Sequence, residues 1–259
     1  MADTDDRAAF FTLDGEDLVP APLAHSPWSP DMLHGRLVGA LAARALEHAH
    51  AEPSLHAARL TVDLFRNSPL VPLRVTTTRV RDGRRIRVAD AEVSGPQGTV
   101  GRATVVFLRR GEQPPGEAWA PEPWRLPEVG EPPATGGGWT PPFDLWWPGE
   151  RLTAARNTGW LRETHPLVEG ESISPLVRAA LAADFASPLV HHGTRGLQYI
   201  NADYTLTLSR LPLGDVIGLR SDGHLSDEGV AVGQCTVYDA SGPFGHCAVT
   251  AVANPGMGS

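Results

Sequence analysis

Lysine is missing from this chain, and all 22 basic residues are arginine. Schiff-base chemistry through a lysine side chain is therefore closed to it. Cysteine is scarce: Cys235 and Cys247 stand alone, too few for a disulfide scaffold and in keeping with reduced core residues. No run of 18 apolar residues occurs, and the opening MADTDDRAAFF has neither the basic start nor the apolar stretch of a secretion signal. No membrane span is expected, and a cytoplasmic location is. Positive charge is in deficit, with 22 basic against 30 acidic residues and a net charge of -8. Such a chain repels polyanions, which turns the reading away from nucleic acid and anionic membrane and toward a small-molecule partner. His191 and His192 are adjacent but lack a third ligand at metal spacing, so no metal and no cofactor is expected.

What the chain does contain is a copy of itself. Residues 98–106 read GTVGRATVV and residues 242–250 read GPFGHCAVT, and the same shift of 144 sets Arg66 against Arg210. A period near half the length favours two units of roughly 100 to 130 residues. LHGRLVGALAARALE (33–47) falls on VRAALAADFASPLV (177–190). Where the copies differ, the second gains polar groups: Asp184 for Ala40, Asn201 for Ala57 and Thr250 for Val106. Agreement describes scaffold, and difference proposes one active site rather than two. Between the copies, residues 111–150 hold ten of the 24 prolines and five of the seven tryptophans, without helical or strand periodicity. This segment reads as a linker between an N-terminal domain (1–110) and a C-terminal domain (151–259), its rings packed on one half or capping an apolar pocket.

Each half reads as one helix followed by four strands. Ser174 and Pro175 are an N-cap and first-turn pair, LVRAALAADFA comes next, and Pro188 is the expected stop. Ser29, Pro30 and Asp31 give the matching start, with a helix to about His48. Both helices are apolar on nearly every face, so each must be enclosed by the strands of its own half. The strands ARLTVDLF, LRVTTTRVR, RIRVADAEV and VGRATVVFL, and then YINADYTLTLS, DVIGLRSDGHL, GVAVGQCTVYD and FGHCAVTAV, alternate and are rich in Val, Thr and Ile. Asp82-Gly83 and Ser241-Gly242 supply hairpin turns. The expected fold is α+β: two tandem repeats of an antiparallel sheet wrapped around a central helix.

HGRLVGALAARALE, LTVDLFRNSP and RVRDGRRIRVADAEV resemble the N-terminal half of the acyl-CoA thioesterase II family, whose members are double hotdog proteins. ADFASP, YINADYTLTLSRLP and VYDASGPFGHCAVTAV resemble its C-terminal half, so the likeness covers residues 20–254 through order and spacing more than through any single motif. The resemblance implies hydrolysis of the thioester of a fatty acyl-CoA; the thioester of an acyl carrier protein is the other expected substrate. The resemblance further implies a water held by an Asp on the second helix, a hydroxyl or amide residue on the next strand and a Gln on the last strand. Those positions are Asp184, Asn201 and Thr250; Thr250 departs from the pattern by offering a short hydroxyl where the family has a carboxamide.

Thioester hydrolysis needs a polarised water, donors for an oxyanion and an apolar tunnel for the acyl chain. An Asp in a largely apolar helix suits the base, because burial raises its pKa. Gly35, near the start of the first helix, is the candidate backbone N–H donor. Gly35 and Gly39 equally fit plain close packing of helix on sheet, and His34 beside them fits either the site or its rim. The hairpin RVRDGRRIR offers Arg79, Arg81, Arg84 and Arg85 to the phosphates of coenzyme A or to an acidic carrier, or serves simply as a solvated turn. Two alternatives stay open. One is an acyl-thioester binding module without turnover. The other is an enoyl-thioester hydratase or dehydratase, against which stands the spacing of Asp184-Phe-Ala-Ser-Pro-Leu. Paired sheet edges or faces lead us to expect a homo-oligomer.

Overall fold

The computed structural model describes residues 7–119, 140–146 and 158–254. Two short hairpins come first: β1 (Phe11–Asp14) with β2 (Asp17–Pro20), and β3 (His25–Ser26) with β4 (Ser29–Leu33). Helix α1 (Gly35–His50) precedes β5 (Leu55–Leu64), β6 (Arg74–Asp82), β7 (Ile86–Gly95) and β8 (Gly98–Arg109). Then come β9 (Phe143–Trp146), β10 (Thr158–Glu163), α2 (Pro175–Ala183) and α3 (Ala186–His191). A small hairpin, β11 (His192–Gly193) with β12 (Gly196–Leu197), leads into β13 (Tyr199–Leu208), β14 (Val216–Asp227), β15 (Val230–Asp239) and β16 (Gly242–Ala253).

Ten strands form one sheet in the order β6-β7-β8-β5-β13-β16-β15-β14-β10-β9, every neighbouring pair antiparallel. Adding 144 to the ends of β5, β7 and β8 gives the ends of β13, β15 and β16. At the junction of the halves, β5 pairs with β13, and Thr61 lies opposite its own equivalent Thr205 with their hydroxyls 3.1 Å apart. A local two-fold relation therefore passes between these two threonines. Helix α1 packs on β5 to β8, α3 packs on β13 to β16, and α1 packs on α2. Apolar residues of both halves join in one buried cluster.

Strand alternation decides which residues face the helices. In β13, Tyr204, Leu206 and Leu208 are buried while Thr205 and Thr207 are not, the period-two pattern of a half-covered sheet. One irregularity overrides that parity. The pairing of β13 with β16 slips at Ala202, between Asn201 and Asp203, and an extra residue at such a bulge turns the residues before it onto the other face. Asn201 thus shares the helix side with Tyr204. The same slip occurs at Ala58 in β5, where Ala57 is buried; the bulge is scaffold, and only the second half fills it with an amide.

Several local expectations require correction. Ser29, Pro30 and Asp31 lie in β4 and not at a helix start, because His34 is the N-cap of α1. The second helix does not run to Pro188: it ends at Ala183, and Pro188 is the third residue of α3, a first-turn position where no intrahelical N–H is required. Phe143–Trp146, in a segment expected to lack strands, pairs with β10 at the sheet edge.

Candidate active site

Asp184 comes directly after α2. That helix begins with Ser174, whose hydroxyl accepts the Val177 N–H at 3.2 Å, and its Leu, Val and Ala side chains are buried on nearly every side. Asp184 is the C-cap, with φ -61° and ψ -27°. Its Oδ1 accepts the Asn201 Nδ2–H at 3.0 Å, a contact that exists because the bulge turns Asn201 inward. Burial is the largest influence on the carboxyl and raises its pKa; the Asn201 hydrogen bond and the Arg36 charge act the other way. A carboxylate of raised basicity, oriented by one amide, is equipped to take a proton from water near neutrality.

The first turn of α1 lies at the same end. The two helices run antiparallel: Ser174 Oγ, at the start of α2, donates to Glu47 Oε2 near the end of α1. Further along, the Tyr204 hydroxyl sits against Gly39 of α1 and donates to the Ala180 carbonyl of α2 at 3.2 Å. The start of α1 therefore lies level with the end of α2. His34 Nδ1 accepts the Arg36 N–H at 3.4 Å, and burial, then Arg36, then His25 lower its pKa to about 3, so it caps the helix as a neutral ring. Gly35 comes next. A Cβ there would meet only Leu64 Cδ1, at 3.6 Å, so packing does not require glycine at this position. At Gly39 packing does require it, because a Cβ would lie 2.0 Å from Tyr204 Oη.

Sequence reasoning missed Arg36. Its side chain is buried, ion-paired with Glu163 of β10 and stacked 4.2 Å from the centroid of the Phe143 ring. No local pattern links residues 127 positions apart, so only the edge strands β9 and β10 could have revealed the pair. Tyr204 was also missed; it reads simply as one more apolar position of a strand.

Not every expected residue joins Asp184 and Asn201. Thr250 lies between the buried Val249 and Ala251 on the opposite face of β16, where its hydroxyl donates to Asp203 Oδ2 at 2.6 Å and its N–H to Asp203 Oδ1 at 3.0 Å. Arg79, Arg81, Arg84 and Arg85 ring the β6–β7 turn. Arg79 is tied to Asp82 at 2.9 Å, and Arg87 donates to the His50 carbonyl at the end of α1 at 2.7 Å. At 1.5 Å per residue, that end lies about 22 Å from Gly35. Trp119 is 89 % exposed; Trp124, Trp139 and Trp147 lie outside the described residues. Cys235 and Cys247 are buried free thiols on paired strands. Among the described residues, no group of three or more His, Cys, Asp or Glu side chains could hold a metal ion, and no helix is long and apolar enough to cross a membrane.

Two repeat-related half-sheets and a half-buried carboxylate that accepts from an amide fit the class that the family models give, the acyl-CoA thioesterases. The acyl-CoA thioesterase N-terminal domain family matches residues 24–108 and the corresponding C-terminal domain family matches residues 117–253, so the chain belongs to the acyl-CoA thioesterase family. Among solved structures, it is similar to a Thermobifida fusca protein provisionally described as a thioesterase II, with 16% identity, 98% of each chain covered and a TM-score of 0.73. A hot dog fold protein of unknown function from Alicyclobacillus acidocaldarius gives 17%, 98% of each chain and 0.66. Acyl-CoA thioesterase II TesB2 from Mycobacterium marinum gives 14%, 92% of this chain and 98% of that one, and 0.61. At these identities the likeness is one of fold. No curated protein matches the chain by sequence.

Proposed function

We propose that the chain is a double hotdog thioesterase with a single active site, at Asp184 in its second half. The observation that carries this reading is the Asn201–Asp184 hydrogen bond, made at a bulge whose counterpart in the first half holds Ala57, with Ala40 at the position equivalent to Asp184. Asp184 takes a proton from water as the water oxygen attacks the thioester carbonyl carbon. The carbonyl oxygen becomes an oxyanion and receives the Gly35 N–H, where the dipole of α1 is positive. Collapse re-forms the carbonyl and breaks the carbon–sulfur bond; the thiolate recovers the proton from Asp184. Products are the free acid and the thiol.

Thr250 acts at one remove. By gripping Asp203 through both its hydroxyl and its N–H, it fixes the strand beside the bulge that presents Asn201. Arg81, Arg84 and Arg85 meet the phosphates of coenzyme A or an acidic carrier at the far end of α1. A second reading, an acyl-thioester binder without turnover, draws on the same Thr250, which leaves the last strand without a water-holding group beside Asp184. Release of free thiol from acyl-CoA esters of graded chain length, parent against Asp184→Ala, separates the two. Release lost in the variant supports hydrolysis through Asp184; no release by the parent on any ester supports the binder.

A further inference from the structure

The break between α2 and α3 falls at the proposed base, and it has a cause in the sheet beneath. In an unbroken helix the Ala180 carbonyl accepts the N–H of residue 184, and the Ala183 carbonyl that of residue 187. Here the Ala180 carbonyl accepts the Tyr204 hydroxyl at 3.2 Å, and the Ala183 carbonyl accepts the Cys247 thiol at 3.5 Å. The displaced N–H groups turn elsewhere: that of Asp184 to Ala182, that of Phe185 to Ala182 at 3.1 Å, and that of Ser187 to Asp184 at 3.3 Å. Tyr204 rises from β13 and Cys247 from β16, and both are fully buried.

We infer that Tyr204 and Cys247 are positioning residues that hold the second helix open at Asp184 and thereby aim its carboxylate at Asn201. The first half of the chain is the internal control. The positions equivalent to Tyr204 and Cys247 are Leu60 and Ala103, neither of which can donate a hydrogen bond. Helix α1 runs unbroken from Gly35 to His50, past Ala40. Gly39 completes the device from the other helix, since any side chain there would displace the Tyr204 hydroxyl from Ala180. Orphan carbonyls at a helix end need donors, and a short loop or a glycine usually frees them to water; in this chain two core side chains supply the donors in a dry setting.

The inference rests on Asp184 as the base, so the test separates the two. Tyr204→Phe and Cys247→Ala are compared with Asp184→Asn by thiol release from an acyl-CoA ester the parent cleaves, with amide hydrogen exchange of the 180–187 segment and a thermal melt for each variant. In Tyr204→Phe, the Asp184 N–H recovers the Ala180 carbonyl and exchanges more slowly, while kcat falls about 10- to 100-fold, the scale of a misplaced catalytic group, and KM changes little. Cys247→Ser, which keeps a donor, regains most of what Cys247→Ala loses. Tyr204→Phe has no further effect in the Asp184→Asn background. Full kcat and unchanged exchange in both Tyr204→Phe and Cys247→Ala, with Asp184→Asn inactive, would overturn the positioning role and leave the base in place. An active Asp184→Asn would remove the base, and slowed exchange in Tyr204→Phe would still show that Tyr204 holds the break.

Discussion

Gly39→Ala sets two effects of opposite sign against each other. Alanine inside a helix is favoured over glycine by about 1 kcal/mol, so an open site on α1 would gain stability. This site is not open: the new Cβ would lie 2.0 Å from Tyr204 Oη and 2.9 Å from Cζ, where ordinary contact begins near 3.4 Å. Tyr204 is fully buried between the helices and the sheet, so relief needs a shift of more than about 1 Å in a core packed at near-crystalline density. Overpacking of that kind costs about 1–3 kcal/mol, and loss of the Tyr204–Ala180 hydrogen bond adds about 1 kcal/mol. The sum is a net destabilisation of about 1–3 kcal/mol, or a fall in Tm of about 2–4 °C for each kcal/mol. Circular dichroism melts and thiol release on the same samples give both readouts, and kcat is expected to fall with Tm. A rise in Tm with kcat intact would refute the reasoning, since it would mean that Tyr204 does not occupy the space beside Gly39.

Glu163→Ala strands the buried Arg36 charge and is expected to destabilise the protein by about 3–5 kcal/mol in urea unfolding. Glu171→Ala, which releases the partly exposed Arg44, is expected to cost less than about 1 kcal/mol, and equal costs would contradict the burial argument. His34 carries a pKa lowered from 6.5 to about 3; the unfolded chain takes up a proton that the folded chain refuses, so stability drops as pH falls from about 6.5 toward 3. His34→Asn keeps an N-cap acceptor and removes this titration, which makes the fall shallower by up to about 1.4 kcal/mol per pH unit; an identical slope would exclude His34 as the group whose pKa burial lowers. Arg84→Ser with Arg85→Ser raises KM for an acyl-CoA ester but not for the matching pantetheine thioester. Parallel changes in both would detach the hairpin from the phosphates.

Much of the scaffold is legible in the chain because period-two alternation and a repeat of 144 are local or countable signals. The eight repeat strands and their turns at Asp82-Gly83 and Ser241-Gly242 are reached from them, and the repeat also singles out Asp184 and Asn201 against Ala40 and Ala57; the hydrogen bond between the two comes from the structure. What escapes is set by long-range packing. The break after Ala183 depends on Tyr204 and Cys247 from other strands, so the sequence around it still reads as one helix and Pro188 as its stop. β9 is four residues long and β10 six, too short for a periodic signal, and without them Arg36 has no visible partner. Thr250 misleads for a different reason. Its place in the repeat is right, but side chains on a strand alternate between faces, and the register of β16 sends this one to Asp203 on the far side.

Thiol release from an acyl-CoA ester by Asp184→Asn tests the central claim most directly. The substitution keeps the shape of the side chain and its contact with Asn201 while removing the base. A loss of kcat of about 100- to 10,000-fold, with the melting curve of the parent, is the expected result for a general base. A rate within twofold of the parent would contradict it.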